Sequence, residues 1–265
     1  MSSILAAVDY GGPWELPPIG ELFNFPVIPG TENWGIFAVN RVSLMLLTST
    51  IMLCAFFYVA FVKPRIVPNR IQSLAESIVD FIRNGIVLEI IGPKGLKYVP
   101  LLTCFFVFIF LNNLFKLTPG IMLPTTSRIH VAGLLAVIVW LVYIGAGIKE
   151  QGFLHYFKET LVPPAPKMIL PILVPIEFIS NLILRPFTLM VRLFANMVAG
   201  HILVVITLIT IHAFLVWGPG LPVGIFALVI SPLVFGFELF IIGLQAYIFT
   251  MLAAVYISSS LNPAH

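Results

Sequence analysis

Residues 186–202 read PFTLMVRLFANMVAGHI. Arg192 stands in the middle of this stretch, and the stretch lies inside an apolar segment that runs from residue 168 to residue 216. An arginine at the centre of a bilayer costs roughly 3 kcal/mol on insertion scales. Asn196 and His201 follow within three helical turns. The segment is therefore predicted to be a membrane helix whose polar side chains carry the function.

The composition places the chain in a membrane. Of its 265 residues, 60% are hydrophobic and 9% are charged, whereas soluble domains carry about 25% charged residues. The net charge of +3 is too small to indicate a nucleic-acid partner. Cys54 and Cys104 lie in apolar runs, which predicts neither a disulfide framework nor a metal site. Because no phosphate-binding, zinc-hydrolase or nucleophile motif occurs, we expect no catalysis by the chain alone and no cofactor.

Five apolar runs predict an all-α protein with about five transmembrane helices in a single membrane domain. The predicted parts are an outer N-terminal segment (1–41), a first span (42–61), a surface amphipathic helix (66–97), two further spans (98–148) and a terminal hairpin (168–260). In the amphipathic segment, apolar side chains recur every three or four positions opposite charged ones. This pattern favours a helix lying flat on the membrane over a loop helix in solvent.

Basic residues set the expected orientation. Nine lysines and arginines lie in the segments 62–97 and 149–167, and few lie on the other side of the predicted spans. The positive-inside rule makes these two segments cytoplasmic, so the N-terminus is expected outside and the C-terminus inside. The first residues show neither a signal-peptide nor a transit-peptide pattern. A bacterial plasma membrane is expected, with the mitochondrial inner membrane as the alternative.

The last two apolar runs are too long for upright helices. The first has 49 residues and the second about 38, so they would measure roughly 70 and 55 Å against about 30 Å of hydrocarbon. A turn at residues 218–222, GPGLP, separates them. We therefore predict a long, steeply tilted helical hairpin, a shape that suits a wall following another assembly.

Polar residues on the two arms of the hairpin fall at matched depths. Arg192 lies 27 residues before Pro219 and Gln245 lies 26 after it; His201 lies 18 before and Glu238 lies 19 after. Carboxylates and histidines inside membranes can relay protons, whereas arginine stays charged and serves better as a barrier or counter-charge. The alternative is a structural role, in which the same residues only hold the two helices together.

Two motifs carry a resemblance to a known family. VRLFANMVAGH at 191–201, followed by FELFIIGLQAYIF at 237–249, resembles the paired signature of subunit a of F-type ATP synthases. The resemblance is strong over the last ~95 residues and extends to the overall layout. It implies a non-catalytic stator subunit that passes protons, or Na⁺, to and from the carboxylates of a rotating c-ring. It also implies b-type peripheral-stalk subunits and the lipid bilayer as partners.

The resemblance implies a role for each matching residue. Arg192 would separate two half-channels and attract the ionised c-ring carboxylate. The other implied roles are polar neighbours of that arginine (Asn196, Gln245), the outer half-channel (His201, Glu238), the inner half-channel (Glu177, Ser180) and supporting positions (Tyr256, Asn112, Asn113).

Two features depart from the family pattern. One extra residue stands between Glu177 and Pro186, which rotates Glu177 by about 100° relative to Arg192 unless a helix bulge absorbs it. Lys116 stands near a position where many members carry an acid, so Asn112 and Asn113 are expected to supply polar lining there. Two rival functions are a secondary ion transporter and a membrane scaffold with a buried Arg–Glu pair. No internal repeat supports the transporter.

Overall fold

The computed structural model describes residues 40–118, 125, 128–161, 169–215 and 218–261. Within these ranges the regular elements are helices, and five of them are long and apolar enough to cross a membrane. The prediction of an all-α protein with five spans is thus confirmed. Residues 1–39, most of the predicted outer segment, lie outside the described residues, as do residues 119–124.

The helices follow the predicted runs with small shifts of their ends. In chain order they are α1 (Arg41–Phe61), α2 (Arg70–Ile82), α3 (Leu88–Ile90), α4 (Val99–Leu114), α5 (Ile129–Gln151), α6 (Phe153–Leu161), α7 (Leu170–Phe178), α8 (Arg185–Phe214) and α9 (Leu221–Leu261). Two π-helical turns, Arg83–Val87 and Ile179–Leu184, join α2 to α3 and α7 to α8, and a 3₁₀ turn, Pro93–Tyr98, precedes α4.

The amphipathic segment differs from the single helix predicted over 66–97. It begins at Arg70 and ends at Ile90, because Gly92 takes a φ of 81° and a proline follows it. Its first half leaves Ile71 exposed, while Ile82 is fully buried and belongs to the core shared with the spans. Its second half therefore packs against the membrane helices as well as presenting a face outward.

The terminal hairpin forms one side of the helix bundle. The arm from Leu170 to Phe214 has 45 residues, and α9 has 41. The two arms pack against each other, and both also pack against α5; α9 contacts α4 as well. Small and aliphatic residues of α9, such as Ala246 and Ala253, are fully buried in this core. The hairpin thus buries one face and leaves the opposite face open.

The segment before Pro186 contains a π-helical turn. Ile179–Leu184 is wound as a π-helix, whose hydrogen bonds span five residues instead of the four of an α-helix. The main-chain carbonyls of this turn are capped from α5: Tyr143 Oη donates to Asn181 O at 2.7 Å, and Trp140 Nε1 donates to Leu182 O at 3.0 Å. A helix bulge, which the sequence left open as a possibility, is therefore present and is held by neighbouring side chains.

Candidate intramembrane polar site

Arg192 lies on the open face of α8. Its side chain is exposed, and it makes no hydrogen bond or ion pair with any residue that the structure describes. Leu189, three residues before Arg192, and Leu193, one residue after it, are fully buried in the bundle. A cation in the middle of an apolar 45-residue segment thus has no counter-charge among the described residues.

Small side chains surround Arg192 on the open face. Thr188, Ala195 and Ala199 are exposed at spacings of three or four residues, so they lie on the same side of the helix as the arginine. Small residues at such positions allow another helix to approach the backbone closely. The backbone of α8 is therefore open on this face at the depth of Arg192.

Asn196 and Gln245 join the two arms of the hairpin beside the arginine. Asn196 Nδ2 donates a hydrogen bond to Gln245 Oε1, and Gln245 is buried. By residue count from the turn, Gln245 was expected level with Arg192. Its hydrogen-bond partner is instead Asn196, which lies about one helical turn closer to the hairpin turn. The polar pair therefore neighbours Arg192 without neutralising its charge.

A second polar cluster contains His201 and Glu238, which were predicted to lie at the same depth on the two arms of the hairpin. Both side chains are buried, at 5% and 1% exposure. Glu238 Oε2 accepts a hydrogen bond from Lys116 Nζ, and the two form a buried ion pair. A Cβ placed on Gly200 would lie 2.5 Å from Glu238 Oε2, so the ion pair packs directly on this glycine, beside His201.

Lys116 is the residue that sequence reasoning missed as a partner of Glu238. It follows the end of α4 and is separated from Glu238 by 122 positions in the chain. The available signal was a lone cation at the end of an apolar span, on the same side of the bilayer as the hairpin turn. Such a cation needs a counter-charge if it is buried.

Asn112 and Asn113, which the resemblance implies as supporting positions, lie near the end of α4. Both are fully buried. Asn112 Oδ1 accepts from Ser49 Oγ at 3.2 Å and from Thr125 Oγ1 at 2.9 Å, so this amide ties α1 and residue 125 to α4. Its Nδ2 donates to Phe108 O.

The residues expected on the inner side gather around the π-helical turn. Glu177 and Ser180 are half-buried, and Glu177 Oε2 accepts from Asn181 Nδ2 at 2.8 Å. Arg185 Nη1 donates to Ser259 Oγ at 2.9 Å, and its guanidinium lies 5.4 Å from the centre of the Tyr256 ring. Tyr256 thus holds a second arginine, Arg185, against α9.

The fold and this site define a multi-pass α-helical membrane protein with ionisable side chains inside its spans. Sequence comparison then places it: the family model described as ATP synthase A chain matches residues 42–258. The chain is 40% identical to ATP synthase subunit a of Streptomyces lividans, over 92% of this chain and 86% of that protein. It is also 40% identical to ATP synthase subunit a of Pseudarthrobacter chlorophenolicus, over 99% of this chain and 98% of that protein. This chain belongs to the ATP synthase A chain family.

Proposed function

We propose that the chain carries protons through the membrane sector of an ATP synthase and couples their flow to rotation of a c-ring. The observation that carries the proposal is Arg192, a cation at mid-span with no partner in the described chain, on an open face of small residues. An ionised carboxylate on a passing helix is the chemical complement of such a site. The long, steeply tilted hairpin supplies the wall that follows the ring.

Two half-channels meet on either side of this arginine. The outer one contains Glu238 and His201, which are buried side chains that can exchange protons. The inner one contains Glu177 and Ser180 near the π-helical turn. Arg192 lies between them and cannot be deprotonated in a protein. It therefore blocks direct passage from one path to the other, and a proton must travel on the ring.

The remaining assignments follow from the family and from charge. The nine basic residues of 62–97 and 149–167 favour a cytoplasmic location for these segments, with the N-terminus outside and the C-terminus inside a bacterial plasma membrane. The c-ring and b-type stalk subunits are the proposed partners. Na⁺ is the alternative ion, because selectivity would lie mainly in the ring carboxylate.

The rival functions have less support. A scaffold held by a buried Arg–Glu pair needs Arg192 and Glu238 together, whereas Glu238 pairs with Lys116 and Arg192 is exposed. A secondary transporter is favoured by two comparable halves. Here three spans of 20 to 23 residues precede two arms of 45 and 41 residues.

Cysteine cross-linking tests which face meets the ring. In a chain with Cys54→Ser and Cys104→Ser, we expect Ala195→Cys to form a disulfide with a cysteine placed beside the carboxylate of a c subunit. Leu134→Cys is the matched control, because Leu134 is 62% exposed on a different helix. Non-reducing electrophoresis of the assembled complex reads the result. Cross-linking at Leu134 with none at Ala195 would contradict the proposed interface.

Gly200→Ala should displace the ion pair in the outer half-channel. The new Cβ would lie 2.5 Å from Glu238 Oε2 and 2.6 Å from Oε1, closer than real contacts allow. We expect proton-driven ATP synthesis to fall about tenfold, which corresponds to about 1.4 kcal/mol. Gly243→Ala on α9 is the control, since a Cβ there meets nothing within 4 Å. Equal rates in the two variants would argue against Glu238 as part of the path.

A further inference from the structure

The ion pair of Lys116 and Glu238 suggests a use beyond the role that the family resemblance gives Glu238. Lys116 is 1% exposed and is among the largest fully buried side chains of the described protein. It lies just past α4, on the side of the bilayer where the hairpin turns and where the outer half-channel is proposed to open. If Glu238 lies in a proton path, the Lys116 ammonium bound to one of its oxygens affects how that carboxylate gains and loses protons.

We propose that Lys116 is a proton-transferring residue of the outer half-channel, which hands protons from the outer side to Glu238. The inference rests on the proposed function. Lysine is suited to the task because a buried ammonium can release a proton, whereas an arginine in the same place cannot.

The geometry provides both halves of a relay. Lys116 Nζ donates to Glu238 Oε2, so the first transfer needs no movement of heavy atoms. Glu238 Oε1 is buried and accepts no hydrogen bond from any described residue, which leaves one oxygen available to the next carrier. Gly200 makes room for both groups, because any side chain there would displace them.

Each step balances. An N–H bond of the Lys116 ammonium breaks and an O–H bond forms on Glu238, which leaves a neutral amine and a neutral carboxylic acid. Rotation about the Cγ–Cδ bond of Glu238 brings the O–H to the position of Oε1, and the acid releases its proton to the next acceptor. The amine of Lys116 then takes up a proton from the outer side. One proton has moved inward, and the ion pair is restored.

Lys116→Arg separates a relay from a fixed charge. Arginine keeps the positive charge and the hydrogen bond to Glu238 but cannot give up a proton. In the assembled complex reconstituted into liposomes, we expect ATP synthesis driven by a proton gradient to fall at least about a hundredfold, the lower end of the range for loss of a proton-transferring group. Synthesis within about twofold of the unchanged protein, a far smaller loss than that range, would overturn the proposal.

Chemical modification provides a second test of Lys116, in case the larger arginine side chain does not fit at this buried position. Lys116→Cys, in a chain with Cys54→Ser and Cys104→Ser, is treated with 2-bromoethylamine to restore a titratable amine. A second sample is treated with (2-bromoethyl)trimethylammonium, which restores only a permanent charge, and the mass of the chain confirms both products. We expect the amine alone to restore synthesis. Equal restoration by both reagents, or by neither, would overturn the relay.

The variant Arg192→Ala keeps this test separate from the proposed function. If Lys116→Arg synthesises ATP normally while Arg192→Ala does not, the relay through Lys116 is wrong and the proposed function stands. If Arg192→Ala also synthesises ATP normally, the proposed function itself fails.

Discussion

Replacing Arg192 with alanine is expected to abolish proton-driven ATP synthesis while leaving the complex assembled. The side chain is exposed and contacts no described residue by hydrogen bond or ion pair, so its loss removes little from the stability of this chain. It does remove the charge proposed to attract the ring carboxylate and to separate the two paths. Loss of one such electrostatic group typically lowers rates by about a hundredfold or more.

Two controls give the Arg192→Ala result its meaning. Arg70→Ala removes an exposed arginine outside the five spans and should leave synthesis unchanged. Co-purification of the c-ring, measured for each variant, shows that the complex is intact. If the Arg192→Ala complex synthesises ATP as fast as the Arg70→Ala complex, the proposed barrier role of Arg192 is wrong.

Replacing Glu238 with leucine should damage both assembly and proton flow. The ammonium of Lys116 would stay buried without a counter-charge, and breaking a buried ion pair in this way costs about 3–5 kcal/mol. We therefore expect less assembled complex in the membrane and a lower melting temperature of the purified complex. The same change removes the carboxylate proposed to carry protons.

A double variant separates these two losses. Lys116→Met with Glu238→Leu replaces the pair with apolar side chains of similar volume, which is often neutral or stabilising. Assembly and melting temperature should recover to near those of the unchanged complex, while proton-driven synthesis should not. Recovery of synthesis together with assembly would mean that the pair is only structural.

The apolar runs were enough to predict the spans and the hairpin. A bilayer requires each crossing segment to be helical and apolar along its length, so the run lengths carry most of the information. The two overlong runs were found as arms of 45 and 41 residues. The spacing from Glu177 to Pro186 allowed either a rotated Glu177 or a helix bulge, and the turn Ile179–Leu184 is such a bulge.

Contacts between helices that are distant in sequence could not be predicted in this way. Counting from a turn fixes depth along the hairpin, but it says nothing about how α4 is rotated toward α9. The pairing of Lys116 with Glu238 depends on that rotation. The same holds for Arg185, which contacts Tyr256 and Ser259 of α9.

The spacing of apolar residues also could not predict which part of the amphipathic segment is buried. Ile71 and Ile82 belong to the same predicted apolar face, yet one is exposed and the other fully buried. Periodicity assigns side chains to a face of a helix, whereas the neighbouring helices decide which part of that face they cover. The exposure of Arg192 also depends on neighbouring helices, because α5 and α9 pack against the other side of α8.

Passive proton permeability tests the barrier role of Arg192 most directly. The complex with Arg192→Ala is reconstituted into liposomes without nucleotide, and decay of an imposed pH gradient is followed with a pH-sensitive dye. A barrier between two half-channels predicts a gradient that decays faster than with the unchanged complex or with Arg70→Ala. Liposomes that hold the gradient as tightly as these two controls would contradict the barrier role.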